Sequence, residues 1–314
     1  TDNRFTPLWS ASFRWNAMRE NFLKDVNFIS DLAIRLSYGY TGNIDRSSYP
    51  IPMIFLSGYR YDENFVAESV TFPNPNIKWE RKQDRNFGLD FGFWDNRIGG
   101  SFNYYWNTGK DLLGTMTTPE SYGRTSIKAN VSSIENTGWE FNVNLRLDLG
   151  ANVRWINSFN IAQNTNKIKK TYLKDLNELN VMGGSDNIEG YASGSMFGYR
   201  FAGVNPLTGQ AMIYLTDESR KILADYRGVD ISQVADKIDT EEIDYNIREE
   251  LLRASMEKLG SVTPKVTGGF SSTLTWKKLE VRASFAYSAG HLLETFNERK
   301  YAPSGANKSS EIYV

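Results

Sequence analysis

The chain has 314 residues, with 36 basic and 37 acidic side chains for a net charge of -1, and no cysteine. That balance leaves no electrostatic case for binding nucleic acid, and the missing thiols exclude disulfides, zinc-thiolate centres and thiol catalysis. Aromatic residues make up 14% of the chain, and no run approaches the ~18 apolar residues of a membrane-crossing helix.

The first predicted strand covers Trp9, Ala11, Phe13 and Trp15, which alternate with Ser10, Ser12 and Arg14. Period two with bulky apolar residues on one face is the mark of a half-buried strand. After a connector at residues 16–30, Leu32, Ile34, Leu36, Tyr38 and Tyr40 repeat the pattern against Ala33, Arg35, Ser37 and Gly39. Residues 41–76 read as a long loop, rich in Tyr and Phe and broken by Pro50, Pro52, Pro73 and Pro75. Four more runs follow in succession: Phe87 to Phe93, Ile98 to Trp106, Trp139 to Leu149 and Val153 to Ile161. The last has Asn157 as a polar intruder on its apolar side. Asp95-Asn96 and Gly150-Ala151 predict tight turns, whereas residues 107–130 and 165–194 predict long loops.

Residues 195–204 and 210–215 are weaker strand candidates on either side of the turn Asn205-Pro206-Leu207-Thr208-Gly209. Residues 216–262 form a charged connector with helical patterning over 243–259, where Ile243, Ile247, Leu251 and Leu252 oppose Glu249, Glu250, Arg253 and Lys258. That face suits docking on a neighbouring protein or packing among loops. A final hairpin runs from Val266 through Trp276, turns at Lys277-Lys278 and returns from Leu279 to Tyr287, before a last loop at 291–314. The expectation is about ten strands in an antiparallel up-and-down meander, with residues 1–314 forming one all-β domain.

Alternation by itself does not separate a membrane barrel from a soluble sandwich. Three features favour the membrane. Connectors alternate short and long, as periplasmic turns and external loops do in outer-membrane barrels. Trp15, Trp94, Trp155 and Trp276 fall near the short-turn ends of the strands, and Trp9, Trp106 and Trp139 near the long-loop ends, which predicts two interfacial aromatic girdles. The opposite face carries Arg35, Asp90, Glu140, Arg146 and Asp148, unsuited to a dry core and suited to a wet lumen.

Several stretches then fall into a familiar order. Arg35 to Asn43, Pro73 to Glu80, Asn86 to Gly92, Asn103-Tyr104-Tyr105 with Asp111-Leu112-Leu113, Asn136 to Glu140, Gly203 to Gly209 and Thr263 to Phe270 are collinear over nearly the whole chain. Together they resemble the barrel of SusC/RagA-type TonB-dependent outer-membrane transporters, found in Bacteroidota. The resemblance implies a transmembrane barrel of about 22 strands around a plug, of which this chain covers about ten middle-to-late strands. It also implies a SusD-like surface lipoprotein as partner, TonB acting through a plug absent from this chain, surrounding outer-membrane lipid, and import of oligosaccharides or peptides. An open sheet with two bare edges is not stable in lipid. The chain is therefore expected to be a piece of a longer protein.

Tyr49, Phe55, Tyr59 and Tyr61 in the 41–76 loop are the substrate-contact candidates, because tyrosine rings stack on sugar or peptide faces and offer a hydroxyl. Loops packing on one another or on a lipoprotein account for them equally well. Glu140, Asp148 and Asp90 could be read as paired catalytic carboxylates, but lumen solvation and ladders with Arg35, Arg146 and Arg154 account for them. His291 is the only histidine, too little for a triad or a metal cluster. Gly183 to Gly190 offers oxygen ligands among glycines without the spacing of a calcium loop. No catalytic residue, metal site or cofactor is expected. The rival readings are a structural subunit of a larger outer-membrane assembly, a soluble all-β glycan-binding module and a passive porin.

Overall fold

The computed structural model describes residues 5–23, 25–43, 53–61, 64–71, 74, 76–119, 121, 126–150, 152–171 and 188–292. The chain divides into two compact units. The first spans Thr1–Leu173, Glu189–Tyr191 and Lys265–Ser288, and the second Lys174–Ile188, Ala192–Pro264 and Ala289–Val314.

In chain order the strands are β1 (Trp9–Asn16), β2 (Ile29–Asn43), β3 (Met53–Tyr61), β4 (Asn64–Thr71), β5 (Glu80–Phe93), β6 (Ile98–Thr117), β7 (Ser126–Asp148) and β8 (Val153–Lys170). The second unit contributes β9 (Ser195–Gly198), β10 (Phe201–Val204), β11 (Ala211–Tyr214), β12 (Lys237–Asp239) and β13 (Glu257–Ser261), with helices α1 (Asp217–Arg227) and α2 (Arg248–Ser255). The hairpin of β14 (Val266–Trp276) and β15 (Leu279–Ala289) then returns to the first.

Eight of these strands form one sheet, in the order β1-β2-β5-β6-β7-β8-β14-β15. They are the eight runs of clear alternation. The weaker candidates at 195–204 and 210–215 pair instead in small sheets, β9 with β13 and β10-β11-β12. Register keeps the two faces of the large sheet apart: Phe13 pairs with Leu36, Leu36 with Phe87, Phe87 with Tyr104, Tyr104 with Trp139, and Phe159 with Phe270. A one-residue slip would invert every such pair. The short turns use left-handed backbone at Trp94, Asp95 and Asn96, at Gly150 and Asn152, and at Lys277.

Among the described residues of this unit, the bulky face of the sheet is largely exposed. Phe13 is 60% exposed and Phe285 65%, while the buried apolar residues described in this unit are only Ala17, Ala33 and Ile168. A water-soluble sandwich would bury this face under a second sheet, and an open apolar surface of this extent marks contact with another phase or partner. Among the described residues no helix is long and apolar enough to cross a membrane.

Four segments differ from the sequence reading, the first being β8, which runs on to Lys170 through the opening residues of the loop expected at 165–194. Residues 41–76 hold the β3–β4 hairpin, a two-stranded sheet of its own. The β6–β7 ladder runs on past the apolar band to Thr117↔Ser126, through residues expected to form a loop. On β7, Ile127, Ala129 and Val131 alternate there with Ser126, Lys128, Asn130 and Ser132, a shorter and less bulky pattern than the runs of the apolar band. In the 216–262 connector, the helix expected over 243–259 is limited to α2, and α1 precedes it.

The second unit has a true core. Ile213, Leu215, Leu223, Val234, Ile238, Ile243, Ile247, Leu251 and Leu252 are buried together. The apolar face of α2 is thus consumed inside its own unit, with Leu251 fully buried, and is not free to dock on a neighbour. α1 is capped at both ends: Thr216 Oγ1 accepts from Ser219 N at 3.2 Å, and Gly228 takes a φ of 64 at the C-terminus. The hydroxyl of Thr216 also donates to Ala254 O at 2.6 Å, joining α1 to α2.

Candidate functional site

The polar face of the large sheet is built around one shared carboxylate. Arg35 on β2 donates from Nε to Asp90 Oδ2 at 3.0 Å and from Nη2 to Oδ1 at 2.7 Å, a two-pronged pair across β2 and β5. The same Nη2 donates to Asn103 Oδ1 on β6 at 3.0 Å. Arg14 on β1 reaches Asp90 Oδ2 at 3.1 Å. Two guanidiniums therefore converge on one carboxylate over four adjacent strands, leaving a local positive charge.

Asp148, at the short-turn end of β7, accepts from Arg154 Nε at 3.0 Å and lies 3.5 Å from Arg146 Nε. Glu140 differs from both. It stands opposite Asn103 on β6 and Ala162 on β8, and forms no ion pair among the described residues. The expected arginine ladder thus includes Asp90 and Asp148 but passes Glu140 by. Nor can Glu140 and Asp148 act as a catalytic pair. They lie eight residues apart on one strand, about 26 Å at ~3.3 Å per residue, against the ~5–9.5 Å at which two carboxyls share a reaction.

Glu140 borders two polar hollows. One of about 490 Å³ includes Arg35, Asn86, Asn103, Tyr105 and Asn107, and the other, of about 310 Å³, includes Asn142, Asn160 and Thr267. Tyr105 crosses β7 at Gly138, its register partner, to donate to Asn164 Oδ1 on β8 at 3.0 Å. Ser158 donates to Asn144 at 2.7 Å, and Asn166 to Asn136 at 2.8 Å. A wall of carboxamides and hydroxyls offers both donors and acceptors, so it suits ligands that carry both, such as peptide backbone or sugar hydroxyls.

On the opposite face, register aligns Trp9, Trp15, Trp106, Trp139, Trp155 and Trp276 with the bulky side chains, and Trp94 sits in the β5–β6 turn. Trp9 packs 5.4 Å from Tyr38 and 5.7 Å from Tyr40 between ring centroids. Near the short turns, Trp15 donates to Glu20 at 3.0 Å and Trp155 to Ser272 at 2.8 Å.

Tyr49 lies outside the described residues, as do residues 183–187 of the weak calcium candidate. Phe55, Tyr59 and Tyr61 fall on β3, opposite β4. His291 belongs to the second unit, with Nδ1 buried and without a hydrogen-bond partner. Arg14, Asn103, Tyr105 and Asn164 were not among the candidate residues. Their parity along each strand places them on the polar face, a signal that was present in the alternation.

A sheet with one bare apolar face and one polar face defines a class, the wall of a transmembrane antiparallel β-barrel. The chain belongs to the TonB-dependent receptor-like β-barrel family, whose model matches residues 1–236, and within it to the SusC/RagA type. It is 30% identical to TonB-dependent receptor P3 of Formosa agariphila, over 99% of this chain and 31% of that protein. Identity to TonB-dependent receptor SusC of Bacteroides thetaiotaomicron is 35%, over 54% of this chain and 18% of that protein. The solved structure of the RagAB peptide importer in its closed-closed state superposes with a TM-score of 0.75 at 26% identity, over 93% of this chain and 30% of that one. The chain spans less than a third of the length of each of these relatives.

Proposed function

We propose that this chain forms part of the barrel wall of an outer-membrane importer for peptides or oligosaccharides, driven by TonB and paired with a SusD-like surface lipoprotein. It is a transport element and not an enzyme. The observation that carries this reading is the two-faced sheet: an uncovered apolar face for acyl chains, backed by a carboxamide-rich face with the unpaired Glu140. Likeness to the RagAB peptide importer favours peptide as cargo. In this reading residues 1–314 make up one barrel domain with its external loops, and the seven tryptophans mark the two bilayer interfaces. Tyr49, Phe55, Tyr59 and Tyr61 remain the proposed substrate contacts at the long-loop face. Energy enters through a plug in the longer protein, where TonB acts.

The test is uptake of fluorescent oligopeptides and oligosaccharides by cells carrying the full-length protein. Uptake is expected to vanish on removal of TonB and to fall about fivefold with Glu140→Arg at unchanged surface abundance, a transition-state or binding loss of about 1 kcal/mol. Uptake that persists without TonB would rule the reading out.

A further inference from the structure

The bulky face is not an even surface. Ala11 on β1 is a small residue among Phe13, Leu36, Phe87, Tyr104 and Trp106, and the shortfall leaves an open apolar groove of about 500 Å³ across β1, β2, β5 and β6. At its long-loop end the groove meets a cation instead of another apolar side chain. Arg85 stacks on Trp106 with Cζ 4.5 Å from the ring centroid. Lys110 stands on the same face of β6, four residues beyond Trp106.

Two ion pairs hold other charges on this face. Arg81 is held by Asp111 at 2.7 Å, and Glu135 by Lys169 at 3.0 Å. Arg85 and Lys110 have no carboxylate partner among the described residues. Along the strands the surface therefore reads unpaired cation, then aromatic ring, then apolar groove. An acylated phosphate presents the complementary order, anion, polar backbone and chain. A protein surface would have to bring its own buried anion beside a greasy ridge, at a desolvation cost that a headgroup already at the interface avoids.

We infer that this groove is a specific lipid site for a multiply acylated, phosphorylated lipid, with an acyl chain along Leu36 and Phe87 and phosphate on Arg85 and Lys110. The inference rests on the barrel reading above, which puts the long-loop end at the outer leaflet.

The test is native mass spectrometry of the full-length protein, titrated in detergent with bisphosphorylated lipid A and, as a neutral control, phosphatidylcholine. The parent retains lipid A. Arg85→Gln with Lys110→Gln retains at least tenfold less, with phosphatidylcholine retention unchanged. Ala11→Trp fills the groove, leaves both cations in place and also loses lipid A. Equal retention by the parent and the charge-removed protein overturns the site. So does a dimer or a bound protein that Ala11→Trp abolishes, because the groove then has a different occupant. Quenching of tryptophan fluorescence by brominated lipids in the same samples separates the two readings. Quenched tryptophans without charge-dependent retention of lipid A overturn the lipid site alone. Unquenched tryptophans overturn the barrel reading and the site with it.

Discussion

Arg35 and Gly88 face each other across β2 and β5, and the guanidinium lies where a side chain on residue 88 would begin: a Cβ there would come within 2.9 Å of Arg35 Cζ. The missing Cβ lets Arg35 cross β5 to reach Asn103. Glycine inside a strand costs roughly 0.5–1 kcal/mol relative to alanine, a cost offset here by a charge-assisted bond network. Gly88→Val is expected to break the Asn103 bond and lower stability by about 1–3 kcal/mol. Arg35→Lys should lose the two-pronged pair by a different route, because an ammonium has no fork. Denaturant midpoints of the full-length protein check both. A Gly88→Val protein as stable as the parent contradicts the crossing.

Tyr105 and Gly138 repeat the device with less room. A Cβ on Gly138 would collide with both the Gln163 carbonyl and the Tyr105 ring, and the carbonyl belongs to backbone that cannot swing aside. Gly138→Ala should therefore destabilise by about 1–3 kcal/mol or more. Tyr105→Phe, which removes only the bond to Asn164, should cost about 1 kcal/mol. The ranking of the two variants in unfolding experiments is the decisive reading.

Thr216 serves two helices at once. Thr216→Ala is expected to cost about 1 kcal/mol from the lost cap, and to release Ala254 O on α2 as well. Hydrogen exchange should quicken at the first amides of α1, including Ser219. Thr216→Ser, which keeps the hydroxyl, should restore the protection, and failure to do so would point to the methyl group instead.

In the second unit, buried Asp239 accepts from Thr208 Oγ1 at 2.6 Å, Glu241 N at 2.9 Å and Asn205 Nδ2 at 2.9 Å. These bonds, the Thr208 hydroxyl foremost, hold its carboxyl below the usual carboxylate range. Asp230 is lowered by Ser232, and Asp244 by the backbone of Asn246. With the folded pKa depressed, the stabilisation is complete above the unfolded value of about 3.9 and is lost as pH falls through the lower folded value. Protection of the 205–209 turn is therefore expected to be flat from neutral pH down to about 5 and to fail only in strong acid. Asp239→Asn should abolish that dependence. Carboxyl carbon NMR gives a direct check, and titration at or above the ordinary value would refute the assignment.

Alternation disclosed the eight-stranded sheet because it reports unequal solvent on the two faces of a strand. Phe87, Leu89, Phe91 and Phe93 announce β5 for that reason. The β6–β7 extension, from Leu112 to Thr117 against Ser126 to Ser132, carries the same backbone pairing with a weaker pattern: Ile127, Ala129 and Val131 are small beside the aromatic runs, and Leu112-Leu113 with Gly114 breaks the alternation on β6. The α1 helix left a different trace, Thr216 before Asp217 and Glu218 and Gly228 after Arg227, which composition alone reads as charged connector. At the site, parity assigned Arg35, Asp90, Glu140, Arg146 and Asp148 to one face. Partnership depends on register, which sets Arg14 beside Arg35 and Glu140 beside Asn103, and register comes from the turns and the pairing of whole strands.

The length of the β6–β7 ribbon has a mechanical side. β6 has 20 residues and β7 has 23, where a bilayer needs about 9–11. Its ladder is interrupted around Asp111, whose φ is 56, and Arg81 grips that residue from β5. Six residues, roughly 20 Å at ~3.3 Å each, separate this break from Thr117, where the described ladder ends. Beyond the break the ribbon is braced by Asn74, Lys78 and Glu80: Asn74 Nδ2 donates to Lys128 O at 2.8 Å, Lys78 N to Asn130 Oδ1 at 2.7 Å and Leu113 N to Glu80 Oε1 at 2.8 Å. With the Arg81–Asp111 pair, these braces fasten the projecting ribbon to the start of β5 as a strut, not as a free arm.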